Sequence, residues 1–243
     1  MLHYLLIFFF FITIACDHTP SQSPKVIESL NNPHFHAQAA EQAYHQASQA
    51  KTRTDKIHWA QTGIEHAEQC LKLQEQSPAC HFYLALNTGL YYEAKIFGYA
   101  TGLARMVQAA ERVNELDPSY EQGGGYRLLG KIYLESPSFS LGSNQITRDL
   151  VKSRHYLEQA VRMAPDYPEN HLFLAETLIA LEEWDSAAQQ LKAGEALITK
   201  EFSAEDRAEW RALIKKLRTQ IERHKPEARP AGLRSFDSTP LFC

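Results

Sequence analysis

The chain has 243 residues, 44% of them hydrophobic, and its 25 Lys and Arg against 29 Asp and Glu give a formal net charge of −4. This length allows one well-cored domain with flanking segments. The mild acidity argues against nucleic acid as a partner, because nucleic-acid binding needs a basic face.

The first 15 residues form an apolar run that contains no Asp, Glu, Lys or Arg and ends at Ala15. The run is shorter than the roughly 20 residues of a permanent membrane span, and it is predicted to be a signal peptide. Ala15 directly before Cys16 resembles a bacterial lipobox, which implies cleavage before Cys16 and a lipid on that cysteine. The alternative is an ordinary signal peptide, or a short buried helix with a chance cysteine.

Residues 16–33 are rich in Pro, Ser and Asn, a composition typical of a flexible tether. We therefore expect an exported protein that is lipid-anchored in the bacterial envelope and faces the periplasm. The folded domain is predicted over residues 34–224, and residues 225–243 are predicted to be a disordered tail.

In chain order, the first helix is predicted over residues 34–54 and its partner over residues 57–73. The next helical pattern runs through residues 79–113, with a turn predicted at residues 98–102. Cys70 and Cys80 flank the turn between two helices. They either form a disulfide or lie as small buried thiols, and the thiol interpretation is favoured.

Residues 126–193 have the spacing of two tetratricopeptide-repeat hairpins. Small residues recur where two helices cross, because close packing leaves no room there for a large side chain. The loop at residues 135–147 exceeds what a hairpin needs, so it is either functional or packed on its own side chains. The residues that carry the repeat pattern are Tyr126, Leu129, Gly130, Tyr133, Leu157, Ala160 and Pro165, then Asn170, Leu174, Ala175, Leu178, Trp184, Ala187, Leu191 and Gly194.

The last helix is predicted to begin with Ser203 as its N-cap and to carry an apolar stripe that includes Trp210 and Leu217. A helix of this kind covers the last hydrophobic face of a repeat stack. The predicted fold is all-α, an α-solenoid of tetratricopeptide-like helical hairpins with a C-terminal capping helix.

The stretch 57–193 also resembles the T component of TRAP transporters, a family of tetratricopeptide-like periplasmic lipoproteins. This resemblance implies a lipid-anchored solenoid, with a trimer as one assembly, that docks a periplasmic solute-binding protein of an uptake system. The matching pieces are residues 79–85, 116–120, 123–127 with Leu129 and Gly130, 140–143 and 164–170.

A groove formed by Tyr99, Tyr126, Arg127 and Phe139 is one hypothesis for partner contact, with Arg127 as the polar anchor for a carboxylate. The alternative is that the aromatic residues are core. The 11 histidines show no spacing typical of a metal site. No nucleophile beside a base and no phosphate-binding loop is recognisable, so we expect neither an enzyme nor a cofactor.

Three functions therefore stay open: docking of an extracytoplasmic solute-binding protein, general assembly in the envelope, and carriage of a small apolar ligand.

Overall fold

The computed structural model describes residues 31–95, 98–138 and 146–224, and these ranges hold nine α-helices and no strand. No helix in these ranges is long and apolar enough to cross a membrane. The helices are α1 (Pro33–Ser48), α2 (Arg53–Leu73), α3 (Pro78–Lys95), α4 (Tyr99–Leu116), α5 (Tyr120–Glu135), α6 (Leu150–Met163), α7 (Pro168–Ala180), α8 (Trp184–Ala196) and α9 (Ala204–His224).

Consecutive helices pack as hairpins, α1 with α2, α3 with α4, α5 with α6, and α7 with α8. The remaining helix, α9, packs on both helices of the last hairpin. The predicted all-α solenoid with a C-terminal capping helix is therefore confirmed.

Side-chain caps fix where several helices begin, since the first amide groups of a helix have no partner inside it. The Oγ1 of Thr52 accepts from the amide of Asp55 at 3.0 Å at the start of α2. The Oγ of Ser203 accepts from the amide of Asp206 at 3.0 Å, which confirms the predicted N-cap of α9.

The α5–α6 hairpin depends on the absence of a side chain at Gly130. A Cβ atom placed there would lie 2.4 Å from the Cγ of Leu157, a distance that real Cβ contacts do not show. Both residues are buried, so the two helices cross at the position that the repeat pattern predicts.

The hydrophobic core is a series of clusters that follows the stack. The first joins α1 to α4 around Phe82 and Val113, and the next joins α4 and α5 around Leu103 and Leu129. The largest joins α6 to α9, and its buried members on the capping helix are Trp210, Ile214, Leu217 and Ile221.

Gly98, with a φ of 81°, separates α3 from α4, in agreement with the predicted turn. The helical region predicted at residues 79–113 is thus two helices, and Gly102 belongs to the second. Cys70 and Cys80 are disulfide-bonded, with Cα atoms 5.9 Å apart. The favoured thiol interpretation is therefore wrong. The end of α2 and the start of α3 bring the two sulfurs together.

The two ends of the predicted insertion at residues 135–147 are tied to each other. The amide of Arg148 donates to the carbonyl of Pro137, and that of Asp149 to the carbonyl of Tyr133, both at 2.9 Å. Phe139 lies outside the described residues, as do the predicted signal peptide 1–15, Cys16 and the predicted tail 225–243.

Candidate functional site

The odd-numbered helices form the inner side of the stack. Each packs on the next odd-numbered helix, from α1 through α3, α5 and α7 to α9, whereas the backbones of the even-numbered helices in the described ranges do not approach one another and meet only through long side chains such as Arg105 and Glu68. Such an asymmetric stack curves toward the odd-numbered side, and curved solenoids offer an extended concave surface there. This inner face is the candidate site.

The curvature brings the first helix close to the last. The Nε2 of Gln49, which follows α1, donates to Glu205 of α9 at 3.1 Å, across 156 residues of sequence. The carboxylates of Glu169 and Glu209, from α7 and α9, also act on the phenol of Tyr44 in α1. Side chains from both ends of the stack therefore share one electrostatic environment.

Four tyrosines contribute phenol groups to this environment. Burial, followed by nearby carboxylates, raises the pKa of Tyr44 and of Tyr167 to about 12. Burial and a hydrogen bond to Glu41 raise the pKa of Tyr83, and burial raises that of Tyr120. All four phenols therefore stay neutral at physiological pH and can donate hydrogen bonds.

The carboxylates of the inner face come from α1, α5, α7 and α9. Burial raises the pKa of Glu121, and the negative charge of Glu41 adds to the shift while Arg127 opposes it. Burial and the charges of Glu169 and Asp206 raise the pKa of Glu209. We call this set the tyrosine–carboxylate face: Glu41, Tyr44, Tyr83, Tyr120, Glu121, Arg127, Tyr167, Glu169, Glu205, Asp206 and Glu209.

Arg127 is the one basic member of this set, and it is engaged within the protein. Its Nε lies 2.8 Å from the Oε2 of Glu169, and its guanidinium lies 4.8 Å from the ring centroid of Tyr167. Only 9% of Arg127 is exposed. A buried guanidinium between a carboxylate and an aromatic ring is a favourable arrangement, because both partners stabilise the positive charge.

A left-handed turn at the start of α5 places Glu121 on the face. Glu121, Gln122 and Gly123 have φ values of 49°, 54° and 77°. For residues with a side chain this conformation costs roughly 1 kcal/mol or more each. Arg127 offsets that cost by donating to the carbonyls of Glu121 and Gln122, at 3.2 and 3.3 Å.

The C-terminal halves of α5, α7 and α9 present a different electrostatic pattern on the same side. Glu176 lies 2.8 Å from the Nζ of Lys131 and 2.8 Å from that of Lys216. Burial alone would raise the pKa of Glu176, but the two lysines outweigh it and lower the pKa. Glu135 also lies 2.6 Å from the Nζ of Lys131, so two carboxylates balance two lysines here. On the tyrosine–carboxylate face, by contrast, carboxylates are in excess.

The sequence-predicted site residues occupy two different regions. Tyr99 packs on the cluster around Leu103, as does Tyr156, and Tyr126 also lies near Tyr156. Arg127 instead faces α7. The predicted groove includes Phe139, which lies outside the described residues, and it stays a prediction.

The sequence patterns did not identify the carboxylates of the face or Tyr44, which stands as a lone anchor in an alanine-rich helix. One sequence pattern could have indicated this face. A pair made of an acidic residue and a tyrosine, at most three residues apart, occurs in α1, at the start of α5 and just before α7. A metal site has no support in the described ranges, where no group of three or more His, Cys, Asp or Glu could hold an ion.

Residues 148–217 match the tetratricopeptide repeat family. The fold is similar to the crystal structure of a thermophilic tetratricopeptide-repeat protein of Thermus thermophilus, at a TM-score of 0.51 and 20% identity, over 76% of this chain and 84% of that one. PilF of Pseudomonas aeruginosa aligns at 15% identity over 77% of this chain and 92% of its own, but its TM-score of 0.33 is too low to indicate a shared fold. None of the curated proteins matches the chain.

Proposed function

We propose that this tetratricopeptide-repeat solenoid is an interaction scaffold that binds a segment of a partner protein along its tyrosine–carboxylate face. The observation that carries the proposal is the convergence of polar side chains from five helices on one concave surface. Solenoid proteins use such surfaces for binding. Phenols and carboxylates suit a polar peptide better than a small apolar ligand.

The resemblance to the TRAP T component adds a partner and a location to this proposal. The partner is a periplasmic solute-binding protein, and the scaffold is exported and held at the membrane by a lipid on Cys16. The Cys70–Cys80 disulfide supports an exported protein, since disulfides persist in oxidising compartments such as the periplasm.

A photo-crosslinking residue on the face tests the proposal. It replaces Glu209, an exposed residue that the charges of Glu169 and Asp206 reach. The control places the same residue at Glu65, which is exposed on α2. We use the chain without residues 1–16, which keeps every described residue, in a periplasmic extract.

A covalent adduct that forms from position 209 and not from position 65 is the expected result. Identification of a solute-binding protein in that adduct supports the TRAP proposal, and the native mass of the complex reports whether a trimer forms. Repeated capture of another envelope protein instead favours general envelope assembly. Equal adducts from both positions, or none from position 209, would contradict binding at this face.

A further inference from the structure

The two ends of the helix stack differ in the side chains that they expose. At the C-terminal end, α9 buries its apolar stripe and exposes charged residues, among them Arg211, Lys215, Arg218 and Glu222. A polar outer face of this kind keeps the end of a solenoid soluble. At the N-terminal end, α1 and α2 contact only each other and α3 among the described helices, so one side of the first hairpin is uncovered.

Three of the five exposed large hydrophobic side chains in the described ranges lie together on the first hairpin. Trp59 and Leu73 are 36% and 44% exposed, and His66 lies midway between them on α2, two helical turns from each. The ring of Phe35, which is 39% exposed on α1, lies 6.2 Å from that of His66. Phe35, Trp59 and Leu73 therefore form one apolar strip across the two helices.

Helix geometry shows that this strip faces away from the rest of the stack. Glu68, which pairs with Arg105 of α4, follows His66 by two residues, and two residues correspond to a rotation of about 200° around α2. The strip and the next hairpin thus lie on opposite sides of α2. The strip is therefore on the uncovered side of the first hairpin.

Few charged residues surround the strip. Asp55 lies at one edge, where the cap of Thr52 holds it, and the basic Arg53 and Lys56 reach α3 instead. We define the first-hairpin face by the residues in line with the strip: Phe35, Ala39, Gln42 and Gln46 of α1, and Trp59, Thr62, His66, Gln69 and Leu73 of α2. None of them is Asp, Glu, Lys or Arg, although such residues make up 22% of the chain.

We propose that the first-hairpin face docks onto a lipid bilayer, with Phe35, Trp59 and Leu73 at the level of the headgroups. This inference rests on the lipid that the proposed function places on Cys16. Pro33 comes 17 residues after Cys16, so the bilayer lies within about 60 Å of α1 even when the intervening chain is fully extended. Aromatic rings favour the membrane interface. An anionic lipid surface repels the tyrosine–carboxylate face, which therefore stays open to a partner protein.

The first-hairpin face is small for a dimer of this chain. α1 and α2 have 16 and 21 residues, so they are about 24 and 32 Å long and together cover a flat area of roughly 500 Å². A stable protein interface buries about 800 Å² on each partner. Docking on a bilayer needs less area, because the lipid already holds the domain beside the membrane and docking is then intramolecular.

The test attaches residues 16–243 to vesicles through Cys16 and a maleimide lipid. The change Cys243→Ser leaves Cys16 as the one reactive thiol, since Cys70 and Cys80 are bonded to each other. The vesicles consist of phosphatidylethanolamine and phosphatidylglycerol with brominated acyl chains, which quench the fluorescence of a nearby tryptophan. The difference in quenching between this parent and its Trp59→Phe variant reports Trp59, because the other two tryptophans are common to both.

The face variant is Phe35→Ser/Leu73→Ser, which keeps Trp59 as the reporter. Its matched control is Val151→Ser/Met163→Ser, which removes apolar side chains of similar or greater exposure from α6. Thermal melts of all the proteins show that each is folded.

We expect quenching of Trp59 in the parent and in the control. The face variant should shift the ratio of docked to free protein about tenfold toward the free form, from the loss of two apolar contacts. Absence of Trp59 quenching in the parent, or equal quenching in the parent and the face variant, overturns the inference. A dimer of the parent without vesicles, abolished in the face variant, would assign the face to a second copy and overturn it as well.

These outcomes are separate from those of the proposed function. The maleimide lipid replaces the natural one, so the measurement does not depend on modification of Cys16 in the cell. The crosslink from position 209 decides independently whether a partner protein binds the tyrosine–carboxylate face.

Discussion

Arg127 donates from its Nη1 to the Oδ1 of Asn170 at 3.1 Å, and this hydrogen bond joins two consecutive hairpins. The Nδ2 of Asn170 in turn donates to the carbonyls of Gln122, Ala160 and Ala164, at 3.0, 3.0 and 3.2 Å. Asn170 is completely buried. One amide therefore holds the left-handed turn of α5, the end of α6 and the start of α7 together.

Replacing Asn170 by Ala should lower the free energy of unfolding by about 3 kcal/mol, since it removes these bonds and leaves buried carbonyls without a donor. For a domain of this size that corresponds to a fall in Tm of roughly 6 to 12 °C. The control is Asn114→Ala, because the Oδ1 of Asn114 has no hydrogen-bond partner among the described residues. Similar losses in the two variants would show that the network around Asn170 does not stabilise the stack.

Gly130 provides a test of the helix crossing. Gly130→Leu should lower the Tm by several degrees, because even the first carbon of the new side chain would overlap Leu157. The control is Gly89→Ala, whose Cβ would meet only the flexible end of Met106, at 3.0 Å. That variant should melt within about 2 °C of the parent, since Ala also favours the helix. An unchanged melt of Gly130→Leu would contradict the crossing.

The repeat pattern predicted the crossing because it depends on local spacing. Gly130 and Leu157 occupy fixed positions within one hairpin, and periodicity alone places them on facing helices. The capping role of α9 follows from the same reasoning, since an apolar stripe with Trp210 and Leu217 must be buried against something.

The candidate site could not be predicted in this way, because it depends on how far the stack curves. Glu41 and Glu121 are far apart in sequence, and the charge of Glu41 acts on Glu121 only because successive hairpins rotate relative to one another. The role of Arg127 also changed. The sequence identified a guanidinium that could hold a ligand carboxylate, but Glu169, a residue of the same chain, occupies it. A single repeat does not reveal that partner.

The Cys70–Cys80 bond closes a short loop, for which chain-entropy arguments give a stabilisation of about 2 to 3 kcal/mol. Cys70→Ala/Cys80→Ala should therefore melt at a lower temperature than the oxidised parent, and a reducing agent should lower the Tm of the parent alone. Mass spectrometry after alkylation in denaturant checks the bond itself. Modification of Cys70 and Cys80 without prior reduction would contradict it.

Glu176 should contribute more to stability than an exposed ion-paired residue. Its side chain is 17% exposed and bridges the lysines of α5 and α9, so Glu176→Gln should cost about 2 kcal/mol by leaving Lys131 poorly compensated. The control is Glu195→Gln, which breaks an ion pair with Arg218 whose side chains are both about half exposed and should change stability by less than about 1 kcal/mol. Urea denaturation measures both, and equal losses would contradict a stabilising role for the bridge.

The imidazoles of His36 and His66, whose Nδ1 atoms lie 2.9 Å apart, should make the protein less stable in mild acid. Burial and the neighbouring His36 lower the pKa of His66 below its ordinary value of 6.5, whereas the exposed Glu65 acts in the opposite direction. Between the lowered pKa and 6.5 the unfolded chain binds more protons than the folded one, so stability decreases as the pH falls through this window and levels off below it.

This effect is isolated by comparison with His66→Gln, because groups outside the His36–His66 pair titrate identically in both proteins. Denaturation at pH values from about 7.5 to about 5 should show the parent losing more stability than the variant. His81→Gln provides a second comparison, because burial lowers the pKa of His81 as well. This variant should also lose less stability in acid than the parent, but it keeps the contribution of His66. Parallel profiles for the parent and His66→Gln would show that the histidine pair does not couple folding to pH.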